Sequence, residues 1–212
     1  MKKVYFISGV GASKKLFNFL DLSFCDPHFI EWIPPFKKES LQQYALRLKA
    51  LMPENDPVIV GVSLGGMLAS EIARAYPLSK VIIISSNKTS AEFPAYLRIG
   101  KHIPVYKLFP DNFFTKRSFI LKYFFNSKGT EEQKLHKIIL QETDVPFTKW
   151  AIGAILKWKT NNPPSNITHI HGTADTLLPY YKVKADYTIK GGTHIMTLDR
   201  AKEISALLKK LL

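Results

Sequence analysis

A single cysteine, Cys25, in 212 residues leaves no partner for an internal disulfide and excludes a cysteine-based zinc cluster. No apolar run approaches the roughly 18 residues that span a bilayer, so no membrane span is expected. Internal repeats and low-complexity tracts are absent. The six histidines show no His-x-x-x-His or comparable ligand spacing, and neither a metal nor a cofactor is expected. Acidic residues are scarce: 17 Asp and Glu stand against 30 Lys and Arg, a formal net charge of +13. Such an excess raises nucleic acid or an acidic membrane surface as partners. Its lysines and arginines fall in scattered pairs, such as Lys14-Lys15, Lys37-Lys38, Lys116-Arg117 and Lys209-Lys210, not in one basic tract. With no nucleic-acid-binding module visible, no specific nucleic-acid partner is expected.

What is present is globular. Apolar residues make up 46% and aromatics 12%, which argues against intrinsic disorder. Met1-Lys2-Lys3 followed by Val4–Val10 has a faint signal-peptide look, but Ser8 and Gly9 interrupt the short apolar stretch, and an opening β-strand fits better. A cytoplasmic location is expected on this ground and from the lone thiol.

Short, β-branched apolar runs occur at Val4–Ser8, Phe29–Ile33, Val58–Val62, Val81–Ser85, Ile167–His171 and Tyr187–Lys190. Strands covered on both faces read this way. Helical stretches alternate with them. Leu41, Tyr44, Ala45 and Leu48 share one face behind a Ser40–Gln43 capping box; Leu64–Tyr76 is stopped by Pro77; Ala201, Ile204, Leu208 and Leu211 form a C-terminal amphipathic helix. The pattern predicts an α/β fold with six parallel strands flanked by helices and right-handed crossovers.

The alternation breaks between Asn87 and Ser165, where no strand run appears. Helices are expected over Glu131–Gln141 and around Phe147, Trp150, Ala151, Ala154 and Trp158, the latter capped by Asp144 with Pro146 in its first turn. Residues 87–165 therefore read as a helical lid inserted into a core of residues 1–86 and 166–212. The insertion carries 13 of the 26 aromatics, and Phe147 and Trp150 are candidate walls of an apolar substrate pocket. It also holds 13 Lys and Arg against 6 Asp and Glu, so the positive charge is densest over the expected entrance.

The sharpest chemical signal is Gly61-Val62-Ser63-Leu64-Gly65, placed between a strand and a helix. A serine at that turn adopts a strained backbone that projects its hydroxyl, and its neighbours two residues away must be small. No Lys follows the glycines, which disfavours a phosphate-binding loop. A serine nucleophile needs a base, and the base needs an orienting acid. Asp175 follows the strand Ile167–His171, and His194 follows Tyr187–Lys190 in Gly191-Gly192-Thr193-His194. Both leave the carboxyl edge of the sheet, where α/β sites are built. Asp186 and Asp199 are rival acids, read as opening a strand and starting a helix. His169 reads as a core residue, and His28, His102 and His136 as surface or lid residues.

Together these motifs resemble the α/β-hydrolase superfamily across essentially the whole chain. The nucleophile elbow matches Gly61–Gly65, the H-G-x-x-D acid loop matches His171–Asp175, and the G-G-x-H loop matches Gly191–His194. The resemblance implies Ser63 as nucleophile, His194 as general base and acid, Asp175 as orienting carboxylate, and His171 as a structural residue beside the acid loop. It implies an oxyanion hole from the backbone N–H groups of Leu64 and Val10, with Ser8 standing where the family usually has His. The function expected is serine hydrolysis of a carboxylic ester or thioester with an apolar acyl or alkyl group. The positive charge adds an anionic substrate, or an acyl group carried on an acidic protein or cofactor. Two alternatives stay open: an acyltransferase using the same triad, and a non-catalytic basic binding protein on a hydrolase scaffold.

Overall fold

The computed structural model describes residues 1–100 and 144–212. The helix expected over Glu131–Gln141, His102, His136 and most of the insertion's aromatics lie outside the described residues.

Six strands form one parallel sheet: β1 Lys3–Ile7, β2 Asp26–Ile30, β3 Val58–Val62, β4 Lys80–Ile84, β5 Ile167–Gly172 and β6 Tyr187–Ile189. Their order is β2-β1-β3-β4-β5-β6. The sequence places β2 at Phe29–Ile33; it lies three residues earlier, paired to β1 from Lys3↔Asp26 to Ile7↔Ile30. Pro27 is tolerated because β2 is an edge strand with a free side. Trp32 and Ile33 consequently leave the sheet and run across its carboxyl edge.

Among the described residues the α-helices are α1 Leu41–Lys49, α2 Leu64–Ala75, α3 Ala95–Gly100, α4 Val145–Lys157, α5 Met196–Asp199 and α6 Ala201–Leu211. The Ser40–Gln43 capping box opens α1 with both reciprocal bonds made. Asp144 caps α4 through the Phe147 amide at 3.0 Å, with Pro146 in the first turn.

Alternation along the strands sends residues to two cores. Tyr5, Ile7, Ile59, Val81 and Ile83 pack with Tyr44, Leu48 and Leu68 from α1 and α2. Val4, Phe6, Val60, Val62, Ile82 and Ile84 pack with Leu16, Phe17, Ile204 and Leu208 on the other face. The result is a three-layer sandwich whose strands are buried on both sides, as their composition requires. Helix α4 joins the first core through Phe147, Ala151 and Ala154, with Trp158 at its C-cap, and the Trp158 indole N–H donates to buried Glu71 at 2.7 Å. Among the described residues no helix is long and apolar enough to cross a membrane.

Candidate active site

Ser63 sits between β3 and α2 with φ 53° and ψ −118°, a conformation that L-residues rarely adopt. The elbow is enforced by contact. A Cβ on Gly61 would lie 2.4 Å from the Gly65 carbonyl oxygen, and one on Gly65 would lie 2.2 Å from that of Ile7. Strand, turn and helix can approach this closely only without those side chains. The Ser63 amide donates to Ile84 O at 3.1 Å, and its carbonyl accepts from the Gly66 amide at 2.9 Å and the Ser86 hydroxyl at 2.6 Å. Although Ser63 occupies the N-cap of α2, its side chain caps nothing, leaving the hydroxyl turned toward other partners.

That partner is His194, whose Nε2 lies 2.9 Å from Ser63 Oγ. His194 Nδ1 lies 2.8 Å from Asp175 Oδ2. The structure thus brings together the serine, histidine and aspartate that the sequence singles out from three separate loops. The Asp175 side chain is fully buried. Burial pushes its carboxyl up, but His194, the Leu178 amide and His171 together outweigh that and hold it net below its ordinary value. An ionised Asp175 facing Nδ1 places the imidazole proton there, so Nε2 presents a lone pair to the Ser63 hydroxyl.

The acid loop is built to hold that carboxylate. Asp175 Oδ1 accepts from the amides of Leu177 and Leu178 at 2.9 and 2.8 Å. On the side of Oδ2 stands His171, 3.3 Å away and wholly buried. Its Nε2 faces the Leu178 carbonyl at 2.7 Å. A carbonyl only accepts, so Nε2 carries the proton, and Nδ1 accepts from His169 Nε2 at 3.0 Å. Burial holds both imidazoles below their ordinary pKa, His169 well below it. Tyr96 of α3 donates from its hydroxyl to the Leu177 carbonyl.

The rival acids go elsewhere. Asp186, just before β6, accepts the His169 amide at 2.7 Å and pairs with Lys88 at 3.1 Å. Asp199 ends α5 instead of starting a helix, and accepts the Thr193 amide at 3.0 Å. His28, a surface residue, bonds Asp26 at 2.9 Å.

The turn after β1 reaches the same place: a Cβ on Gly9 would stand 3.3 Å from Ser63 Cβ. Val10 follows Gly9 directly, and Leu64 heads α2, where the helix offers its amide no internal acceptor. Phe147 and Trp150 are placed differently from the triad. Phe147 packs on Trp32 with ring centroids 4.8 Å apart, and Trp150 lies 4.3 Å from the Tyr44 ring. Both help wall a cleft of about 940 Å³ between α4 and the Pro34–Gln42 segment. Neither Ser63, Asp175 nor His194 lines it. Among the described residues no three His, Cys, Asp or Glu side chains cluster as a metal site.

The sequence reading missed Ser86, Tyr96 and Trp32. The only available signal concerned the histidine pair: His169 and His171 stand two apart in a strand and share a face.

Comparison with known proteins agrees with this architecture. Residues 20–99 match the model of an uncharacterised protein family (UPF0227). No curated protein matches the chain. Among solved structures, an esterase from Thermogutta terrifontis with malate bound superposes with a TM-score of 0.71 at 13% identity, covering 99% of this chain and 89% of its own. A structure from a study of carboxylesterases of the Thaumarchaeon Nitrososphaera gargenis gives 0.73 at 14%, over 99% and 89%. A Pseudomonas aeruginosa hydrolase gives 0.72 at 11%, with the same coverage. The chain has the α/β-hydrolase fold.

Proposed function

We propose that this protein is a serine hydrolase of carboxylic esters or thioesters bearing an apolar acyl or alkyl group. The observation that carries the reading is the continuous relay from Ser63 Oγ to His194 Nε2 at 2.9 Å and from Nδ1 to Asp175 at 2.8 Å. Structural neighbours described as esterases, carboxylesterases and hydrolases support it.

In this mechanism His194 Nε2 takes the Ser63 hydroxyl proton as Oγ attacks the substrate carbonyl. Asp175 stabilises the imidazolium that forms and keeps the ring oriented. The amides of Val10 and Leu64 hold the oxyanion. His194 then donates its proton to the leaving alcohol or thiol as the C–O or C–S bond breaks. Water attacks the acyl-enzyme by the same route, releasing the acid and restoring Ser63. The net charge of +13 supports steering of anionic esters.

The test is a panel of p-nitrophenyl esters and matching thioesters graded by acyl length and charge. Turnover is expected in the wild type, with a loss of about 10⁴-fold or more in Ser63→Ala. For anionic substrates kcat/KM should fall as salt rises. Unchanged turnover by Ser63→Ala would overturn the reading.

A further inference from the structure

We infer that Trp32 is a positioning residue that fixes the turn after β1, and with it the Val10 amide, for oxyanion binding. The inference rests on the serine-hydrolase reading above and extends it to a residue that makes no hydrogen bond to Ser63, His194 or Asp175.

Residues Ser8–Ala12 have little to hold them by themselves. The turn is closed by the Ala12 amide on Gly9 O at 3.1 Å, with Gly11 in the left-handed region at φ 70°. Two further donors converge on one atom, the Ala12 carbonyl oxygen. The buried Ser8 hydroxyl donates to it at 2.7 Å, and the Trp32 indole N–H at 3.0 Å. A carbonyl has two lone pairs, so both bonds are made together. Gly9, inside this turn, abuts Ser63, and no hydrogen bond among the described residues takes the Val10 amide. The turn is thus clamped at its far end and left with a free donor at its near end, beside the nucleophile.

Trp32 is itself held from two sides. The Tyr44 hydroxyl accepts the Ile33 amide at 3.1 Å and donates to the Ile33 carbonyl at 2.9 Å, tying the chain beside Trp32 to α1. The Trp32 ring packs on Phe147 of α4. The indole therefore transmits a fixed position from α1 and α4 to the turn. Because β2 ends at Ile30, Trp32 lies beyond the strand and is available for this role. Ser8 supplies the second clamp at the position where a histidine is usual.

The experiment compares Trp32→Phe, which keeps an aromatic ring and removes the N–H, with Ser8→Ala, using p-nitrophenyl butyrate, phenylboronic acid and thermal unfolding. Displacing an oxyanion donor weakens the transition state more than the bound ester. Trp32→Phe is expected to lower kcat about tenfold while KM changes by less than about twofold. The inhibition constant of phenylboronic acid, which forms a tetrahedral adduct on serine, should rise in parallel. Ser8→Ala should shift both in the same direction, and it decides the matter if Trp32→Phe does not unfold cooperatively. Unchanged kcat and boronate affinity in the folded variants, or a loss confined to KM, would overturn the positioning role alone. A wild-type chain that neither turns over the ester nor binds the boronate would overturn this role and the hydrolase reading together.

Discussion

Ser63 keeps a backbone conformation that costs a non-glycine residue about 1–3 kcal/mol. The surroundings leave it no alternative: its amide is tied to β4, its carbonyl to α2 and Ser86, and its hydroxyl to His194. The glycines on either side matter through what they lack. In Gly65→Ala the new Cβ would stand 2.2 Å from Ile7 O and 2.4 Å from Ser8 O, both backbone atoms of the central sheet and its following turn. Neither can move without shifting the Ser8–Ala12 turn relative to the elbow. Gly65→Ala is expected to lose about 2 kcal/mol or more in urea unfolding and about 100-fold in ester turnover. Gly9→Ala, whose nearest neighbour is Ser63 Cβ at 3.3 Å, should unfold closer to the wild type. Equal stability of Gly65→Ala and wild type would show that the elbow is not packed as described.

At the scale of elements, legibility in the sequence follows the range of the interactions. The β3–elbow–α2 unit is readable because its signature, a serine flanked by two glycines between a strand run and a helical run, lies within five consecutive residues. The caps of α1 and α4 were readable for the same reason, since Ser40 bonds Gln43 and Asp144 bonds Phe147. The location of β2 was not. Its apolar signal extends through Ile33, whereas its position is set by pairing with β1 and by an edge location that tolerates Pro27. Asp175 and His194 were legible as residues just past strands, because a parallel sheet gathers its strand ends on one edge. Their supports were not: Trp32 reaches Ala12 across 20 residues, Ser86 reaches Ser63 across 23, and Tyr96 reaches Leu177 across 81. No local pattern encodes such bonds. The proposed pocket residues show the opposite difficulty. Phe147 and Trp150 repeat at helical spacing whether they face a ligand or the core, and the structure packs them against Tyr44 and Trp32.

For the whole molecule, the buried histidines link folding to pH. Burial holds His169 and His171 below their ordinary value of 6.5, so the folded chain refuses protons that the unfolded chain accepts. Their contribution is full above about pH 6.5 and declines as pH falls toward the folded-state values. Asp175, held below its ordinary 3.8, keeps its contribution above that pH and loses it only in stronger acid. Urea unfolding at pH 7.5, 6.0 and 5.0 should show falling stability, with a slope that steepens below about pH 6.5. His169→Gln should flatten that slope, and a level wild-type profile would contradict the buried neutral pair. The net charge of +13 began as a candidate sign of nucleic-acid binding. On the hydrolase reading proposed above, it bears on which ester arrives at the site.

The central claim is that Ser63 is the nucleophile, and a fluorophosphonate reports on it directly through intact mass and peptide mapping of the full chain. The account predicts one adduct per chain, on the peptide containing Ser63, and none in Ser63→Ala. An adduct on another residue, or equal labelling of Ser63→Ala, would contradict it.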